Sequence, residues 1–312
     1  MIYTVTLNPA LDKTVEIPNF TLGEVNRVQN LRTDAGGKGI NVSKCIATLE
    51  GKSTALAVLA GEVGKGIFAF LEQQPEIVPL TVWAAGETRT NLKIIDPAQK
   101  TNTDINERGP IICEKDLNSL LELLLNRIEP GDEVIFAGSL PSGTPASLYR
   151  DWTRICKQHG AKILLDADRE ALQLGVEAKP ALIKPNQEEL SALVGRPLLD
   201  EKDVLDAARA VASDGIERVV VSMGSKGALF FSKEKVLRAS ALKVPVRSTV
   251  GAGDSMVAAL AYGMQENMSW EDQARLAIAF SNASVMCSGT QAPSLETVKK
   301  LSEQVNIMEV SQ

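Results

Sequence analysis

Apolar residues gather along the chain in short, nearly unbroken runs: IYTVTL (2–7), TALAVLA (54–60), EVIFAG (133–138), AKILLDA (161–167), PALIKP (180–185) and ERVVVSM (217–223). Runs of this length, rich in β-branched residues, are the pattern of strands buried on both faces. Between them lie stretches of helical period: GKGINVSKCIATLEG, CEKDLNSLLELLLNRI, PASLYRDWTRICKQHG, NQEELSALVG and EKDVLDAARAVASDG. Beyond residue 250 the pattern turns almost wholly helical. Alternating strands and helices predict an α/β fold, with a mostly parallel central sheet between helices on both faces. Segments 12–34 and 88–108 break the rhythm, alternating apolar with polar residues and carrying Pro, Gly and Asn at turns. Such hairpins keep one wet face. They are expected to join into one small projecting sheet, a lid over the strand ends; edge strands of the main sheet are the alternative. The lid's outer side should then carry Val15, Ile17, Leu92 and Ile94 as an apolar patch, the mark of an interface between two copies of the chain. No repeat or flexible linker interrupts the sequence, so a single domain over 1–312 is expected.

Composition narrows the classes of function. Aromatics are only 4% of residues, so the interior must be built from Val, Ile, Leu and Ala. A net charge of −6 argues against nucleic acid as the main partner, while a local group of cations can still receive a small anion. No run approaches the roughly 20 apolar residues of a membrane span. MIYTVTLNPALD lacks the basic and apolar stretches of a signal peptide and reads as a strand of the fold. Cys45, Cys113, Cys156 and Cys287 lie far apart without a C-x-x-C, which fits reduced thiols in the cytoplasm. His159 is the only histidine and reads as a loop residue, so hydrolases that depend on a positioned imidazole lose their main support.

The sharpest chemical signal is STVGAGDSMVAALAYGM, 248–264. Gly251 and Gly253 let backbone approach a ligand, and the helix that follows presents unpaired N–H groups and positive partial charge. Asp254 stands at the mouth of that turn, where it can take a proton from an attacking hydroxyl; an ordinary N-terminal aspartate is the plain alternative. In DAGGKGINVSKCIATLEG (34–51), Gly36 and Gly37 precede a helix whose first turns carry Lys38 and Asn41, donors suited to an anionic, hydroxylated ligand. In IKPNQEEL (183–190), Asn186 and Glu189 share one helix face, a spacing that serves either Mg²⁺ held through water or a capping box. VSMGSKGALF (221–230), with Gly224 and Gly227, reads as a hairpin turn between strands. The P-loop and dinucleotide patterns both fail: Leu59 and Gly66 break the first around Gly64-Lys65, and Met256 ends the second.

Taken in order, TLNPALD, AGGKGINV, AGSLPSG, KPNQEEL, VSMGSKGAL and STVGAGDS resemble the PfkB family of ribokinase-like carbohydrate kinases, in its hexose-phosphate branch. The resemblance covers essentially the whole chain. It implies a three-layer α/β/α fold with a β-sheet lid, ATP with Mg²⁺, and a homodimer joined through the lids. It implies Asp254 as general base and Gly251, Ala252 and Gly253 as an anion hole. Asp12, Gly37 and Asn41 would bind sugar hydroxyls; Lys38, Arg27 and Arg89 would hold the phosphate already on the sugar, with Ser139 near it. Lys184 and Asn186 would face the ATP phosphates, and Glu189 would organise the metal through water. Ser222, Gly224 and Gly227 would line the nucleotide, with Asn282 near the adenine. One departure stands out: Asp166-Ala167-Asp168-Arg169 replaces the family's usual Asp-x-Ser-Gly.

The charges favour a phosphorylated acceptor. Three cations are costly to gather around a neutral sugar, whereas each charge-assisted contact to a phosphate is worth roughly 1.5–3 kcal/mol when shielded. Fructose 1-phosphate is the favoured acceptor, with tagatose 6-phosphate and fructose 6-phosphate as alternatives. A non-catalytic sugar-phosphate or nucleotide sensor on the same fold is the reading from another class. It would be expected to lose the base or the anion loop, and both GAGD and KPNQEE are intact.

Overall fold

The computed structural model describes residues 1–310; positions 311 and 312 of the expected 1–312 domain lie outside the described residues. The chain opens with β1 (Ile2–Thr6), β2 (Ala10–Glu16), β3 (Asn30–Gly36), α1 (Lys38–Thr48), β4 (Ser53–Leu59), α2 (Gly61–Glu72), β5 (Ile77–Trp83), β6 (Arg89–Asp96) and β7 (Thr101–Asn106). It continues through α3 (Glu114–Leu125), β8 (Glu133–Ala137), α4 (Leu148–Gln158), β9 (Lys162–Asp166), α5 (Arg169–Gly175), β10 (Leu182–Ile183), α6 (Gln187–Val194), α7 (Glu201–Ser213) and β11 (Arg218–Ser222). It closes with β12 (Ala228–Ser232), β13 (Val236–Ala239), α8 (Ala252–Gln265), α9 (Trp270–Val285), α10 (Leu295–Ser302) and β14 (Ile307–Val310).

Ten strands form the large sheet, in the order β14-β13-β12-β11-β10-β9-β8-β1-β4-β5. Neighbours from β5 to β11 are parallel and the last three are antiparallel. One face packs Val5, Val134, Phe136, Leu165 and Val219 against Leu120 of α3, Trp152 of α4 and Ala208 of α7. The other packs Ile135, Leu164 and Val220 against Ile46 of α1, Leu260 of α8 and Phe280 of α9. This is the expected three-layer arrangement. Each Val, Leu, Ile or Phe among them stabilises the fold by about 1.5–3 kcal/mol once buried. α8 is buried from Asp254 through Ala261, as an apolar helix within a core must be, so the loop at its N-terminus stands on a rigid element.

All six strand runs form strands, and the glycine pair of VSMGSKGALF sits in a turn between antiparallel β11 and β12. PALIKP shrinks to two residues because Pro180 and Pro185 bracket it and lack donors for the ladder. The sequence reading did not single out β5, whose Pro79 is tolerated at a sheet edge, nor β14, which interrupts the helical C-terminal region. His159 is exposed at the end of α4. Among the described residues no helix is long and apolar enough to cross a membrane.

The two irregular segments form a separate four-stranded sheet, β3-β2-β6-β7. Its register sets Asp12 opposite Asp34 and Asn91. By the two-residue period, Asp12, Thr14, Arg32, Asp34, Arg89, Asn91 and Lys93 share one face. The opposite face carries Val15, Leu31, Leu92, Ile94 and Ile105. Here the expected open patch needs correction. Val15, Ile17 and Ile94 are buried as a small core with Phe20 and Leu92 packed on it, because the connection after β2 folds back over that face. The apolar residues left exposed are others: Leu22, Val25, Val28, Leu31 and Ile105, between 51% and 91% accessible.

Candidate active site

A cleft of about 340 Å³ opens between the small sheet and the carboxyl ends of the parallel strands, where the N-termini of α1 and α8 also point. Asp12, Gly37, Lys38, Asn41, Arg89, Gly251 and Asp254 all line it. A larger open groove of about 760 Å³ runs past Gln187, Arg196 and Leu198 at the end of α6. It lacks the buried carboxylates and lysines of the cleft, so the cleft is the candidate.

Gly251 precedes α8 with a φ of +83°, the left-handed region that glycine enters without strain. That turn directs the first N–H groups of α8, which have no partner within the helix, toward the cleft. Asp254 is 6% exposed and accepts a 2.8 Å hydrogen bond from Asn41 Nδ2 on α1. Burial pushes its carboxyl up to about 6, and the negative Asp166 adds to this, against the opposing pull of Lys38, Asn41 and Lys184. A carboxylate poised there is ionised at neutral pH yet basic enough to take a proton.

Asp166, at the end of β9, sits 3.4 Å from Lys38 Nζ and 3.4 Å from Lys184 Nζ, with both ammonium groups on the same oxygen. Burial would raise Asp166, but Lys184 and then Lys38 hold it below the usual carboxylate range. Asp166 in turn is the largest cause that raises Lys38, followed by Asp254 and Glu189 among the carboxylates. Neither oxygen of Asp166 makes a hydrogen bond of full quality. Lys38 therefore stays charged where it lines the cleft. A Cβ at Gly253 would lie 3.2 Å from Lys184 Nζ, so Lys184 is in contact with the glycine turn at the start of α8. Gly37 has a φ of +110°, and a side chain there would press on Thr6 and Pro9.

On the lid side, Asp12 accepts hydrogen bonds from Asn91 Nδ2 at 3.0 Å and Thr290 Oγ1 at 3.4 Å, and burial raises its carboxyl. Arg89 donates from Nη2 to the Asn8 carbonyl at 2.9 Å, and burial lowers its guanidinium. Ser139 lies in an adjoining recess with Asn8, Lys38, Arg89 and Asp168. Arg27 is not brought to the cleft: it is exposed on the connection between β2 and β3.

The residues expected at a nucleotide occupy neighbouring strand ends. Asn186 and Glu189 form a full capping box at α6, through Asn186 Oδ1 to Glu189 N–H and Glu189 Oε2 to Asn186 N–H, each 2.8 Å. Glu189 keeps its second carboxylate oxygen outside that box. Ser222, the last residue of β11, pairs with Asn186 as an isolated parallel bridge. Gly224 has open space where a side chain would begin, whereas Gly227 faces the backbone of Ala239 and Ala241 and is needed for packing. Asn282 is buried, accepting from Leu242 N–H at 3.0 Å and donating to Ile278 O at 2.8 Å. Its Oδ1 holds the chain after β13 onto α9, while its Nδ2 bonds back within that helix. Among the described residues, no group of three or more His, Cys, Asp or Glu side chains is arranged to hold a metal.

The structure adds Asp166, Asn91, Asn8, Lys93 and Thr290 to the site. Asn91 and Lys93 follow Arg89 at intervals of two, a signal that was present in the strand pattern. Thr290 carries no signal at all.

A family model described as pfkB family carbohydrate kinase matches residues 5–298. The chain is 38% identical to a 1-phosphofructokinase of Rhodobacter capsulatus over 307 residues, which are 98% of this chain and 97% of that protein. It is 35% identical to a 1-phosphofructokinase of Bacillus subtilis, covering 98% and 99%. The fold matches the crystal structure of phosphofructokinase-2 from Escherichia coli in complex with substrates and products, with a TM-score of 0.93 and 33% identity over 97% of this chain and 98% of that one.

Proposed function

Since the chain belongs to the pfkB family of carbohydrate kinases, we propose that it transfers a phosphoryl group from ATP to fructose 1-phosphate, giving fructose 1,6-bisphosphate and ADP. The observation that carries this is the meeting of the buried carboxylate of Asp254 with the N-terminus of α8 and Lys38 in a single cleft, with Asp166 pairing Lys38 and Lys184 and with Lys184 beside Gly253. The relatives named 1-phosphofructokinase support the choice of acceptor.

The sugar's free primary hydroxyl lies against Asp254, which takes its proton as the oxygen attacks the terminal phosphorus of ATP. The new O–P bond forms while the bridging O–P bond to the β-phosphate breaks, and ADP leaves with that electron pair. N–H groups around Gly251, Ala252 and Gly253 meet the charge on the transferring group; Lys184 meets it from the strand side. Asp12, Gly37 and Asn41 orient the sugar hydroxyls, and Asn41 also fixes the rotamer of the base. Lys38 and Arg89, with Ser139 beside them, receive the phosphate already present. Asn186, Ser222, Gly224 and Gly227 border the nucleotide, and Asn282 supports that wall through the backbone.

Mg²⁺ fits as an ion held by water and phosphate oxygens rather than by a protein cage, because only the free oxygen of Glu189 is offered and no carboxylate cluster exists among the described residues. When bound, it neutralises phosphate charge. The whole chain acts as one domain with the small sheet as its lid, and the exposed Leu22, Val25, Val28, Leu31 and Ile105 join two copies lid to lid. The four free thiols fit a cytoplasmic enzyme.

The test is ATP turnover on a panel of ketose phosphates with product identification. Fructose 1-phosphate is expected to lead fructose 6-phosphate and tagatose 6-phosphate in kcat/KM. Failure to phosphorylate any of them would overturn the reading.

A further inference from the structure

Arg32 stands on β3, on the cleft-facing side of the lid, and its guanidinium reaches from the lid to the segment after α9. Nε pairs with Asp34 Oδ2 at 2.7 Å, while Nη2 donates to the carbonyl of Ser288 at 2.8 Å, 256 positions along the chain. Gly289 makes that approach possible. Its φ is +61°, and a Cβ there would collide with Arg32 Nη2. The segment that Arg32 grips is not remote from the chemistry. Gly289 and Thr290 line the cleft, Thr290 donates to Asp12, and a side chain at Gly251 would touch Ser284 and Thr290. Just upstream of the anion loop, Arg247 and Ser248 N–H groups bond to the Val285 carbonyl, at 2.8 and 3.2 Å. The end of α9 and the segment after it therefore touch the anion loop on one side and the lid on the other.

We propose that Arg32 is a positioning residue: a latch that seats the lid on the segment backing the anion loop, so that the loop takes its shape only under a closed lid. This rests on the reading of the cleft as a phosphoryl-transfer site. With the latch released, water reaches the terminal phosphate of ATP. Its oxygen bonds to phosphorus, the bridging O–P bond breaks, and ADP, inorganic phosphate and a proton are released instead of a sugar bisphosphate. A bidentate donor with one arm on a carboxylate and the other on a carbonyl suits arginine and is only partly replaced by lysine.

The test compares Arg32→Ala, Arg32→Lys and Gly289→Ala with the unaltered full chain. Arg32→Ala is expected to raise KM for fructose 1-phosphate roughly tenfold or more, as loss of a charge-assisted contact implies. KM for ATP should stay within a few fold, and inorganic phosphate released per bisphosphate formed should rise. Arg32→Lys should recover part of both effects. Gly289→Ala should act in the same direction, and add little when combined with Arg32→Ala, since both remove one contact. A lower melting temperature with unchanged KM and unchanged phosphate release would assign Arg32 to stability alone and overturn the latch. Should the unaltered chain phosphorylate no ketose phosphate, the functional reading falls, and hydrogen exchange decides the latch separately. Arg32→Ala must then speed exchange in Asn30–Gly36 and in 286–291 together; an effect confined to one segment overturns it.

Discussion

Lys38→Ala probes two properties of the site at once. Lys38 Nζ shares an oxygen of Asp166 with Lys184, lies in the field of Asp254, and lines both the cleft and the recess of Ser139. Truncation removes one cation from the acceptor phosphate. A charge-assisted contact of roughly 1.5–3 kcal/mol corresponds to an increase of about 10- to 100-fold in KM for fructose 1-phosphate. KM for ATP should change only a few fold, because Lys184 stays in place and keeps Asp166 paired. The same truncation removes a charge that pulls the Asp254 carboxyl down, so Asp254 must titrate above its value of about 6 in the variant. The acid limb of kcat/KM therefore moves to higher pH. Steady-state kinetics from pH 5 to 9 at two salt concentrations measure both effects, and the variant should lose less affinity on adding salt. An unchanged KM together with an unchanged acid limb would refute the placement of Lys38 at the acceptor phosphate and beside the base.

In the unaltered chain the base must be ionised to act, so kcat/KM should rise with pH through an apparent midpoint near 6, and a flat profile from pH 5 to 7 would count against it. At the opposite end of the sheet, Glu133 is buried with one oxygen unpaired, and burial pushes it from 4.5 up to about 8. A raised folded-state value means that its stabilising effect is full below pH 4.5 and is lost as pH rises through 8; Glu133→Gln should flatten that decline in melting temperature. Sedimentation at micromolar concentration should show a dimer, converted to monomer by Leu31→Glu on the exposed side of the lid; a fully active monomer of the unaltered chain would exclude the lid interface.

The central sheet was legible because parallel strands buried on both faces must be continuous apolar runs, and the glycine loops before α1 and α8 mark the site in the same way. The lid was legible as alternation, but not its pairing. Nothing in residues 10–16 alone predicts that Asp12 lies beside Asn91, because register is set by long-range pairing. The apolar character of Val15 and Ile94 was right, yet which of these residues stay exposed depends on where Phe20 folds. Asp166 was visible only as the first residue of a motif that departs from Asp-x-Ser-Gly at Asp168 and Arg169. Its part in holding two lysines needed the convergence of β9, β10 and α1, elements far apart in sequence. Asn186 and Glu189 could read as a metal site or a capping box; the box is formed, and it leaves one carboxylate oxygen for the other task.

The central claim is that Asp254 takes the acceptor's proton. Asp254→Asn keeps the shape and the contact with Asn41 while removing the base, so turnover of ATP with fructose 1-phosphate should fall by about 10²–10⁴-fold. Calorimetric affinities for ATP and for fructose 1-phosphate, measured on the same preparation, should stay within a few fold of the unaltered chain. A variant that binds both and keeps more than about a tenth of the original kcat would contradict the account, because an amide cannot serve as that base.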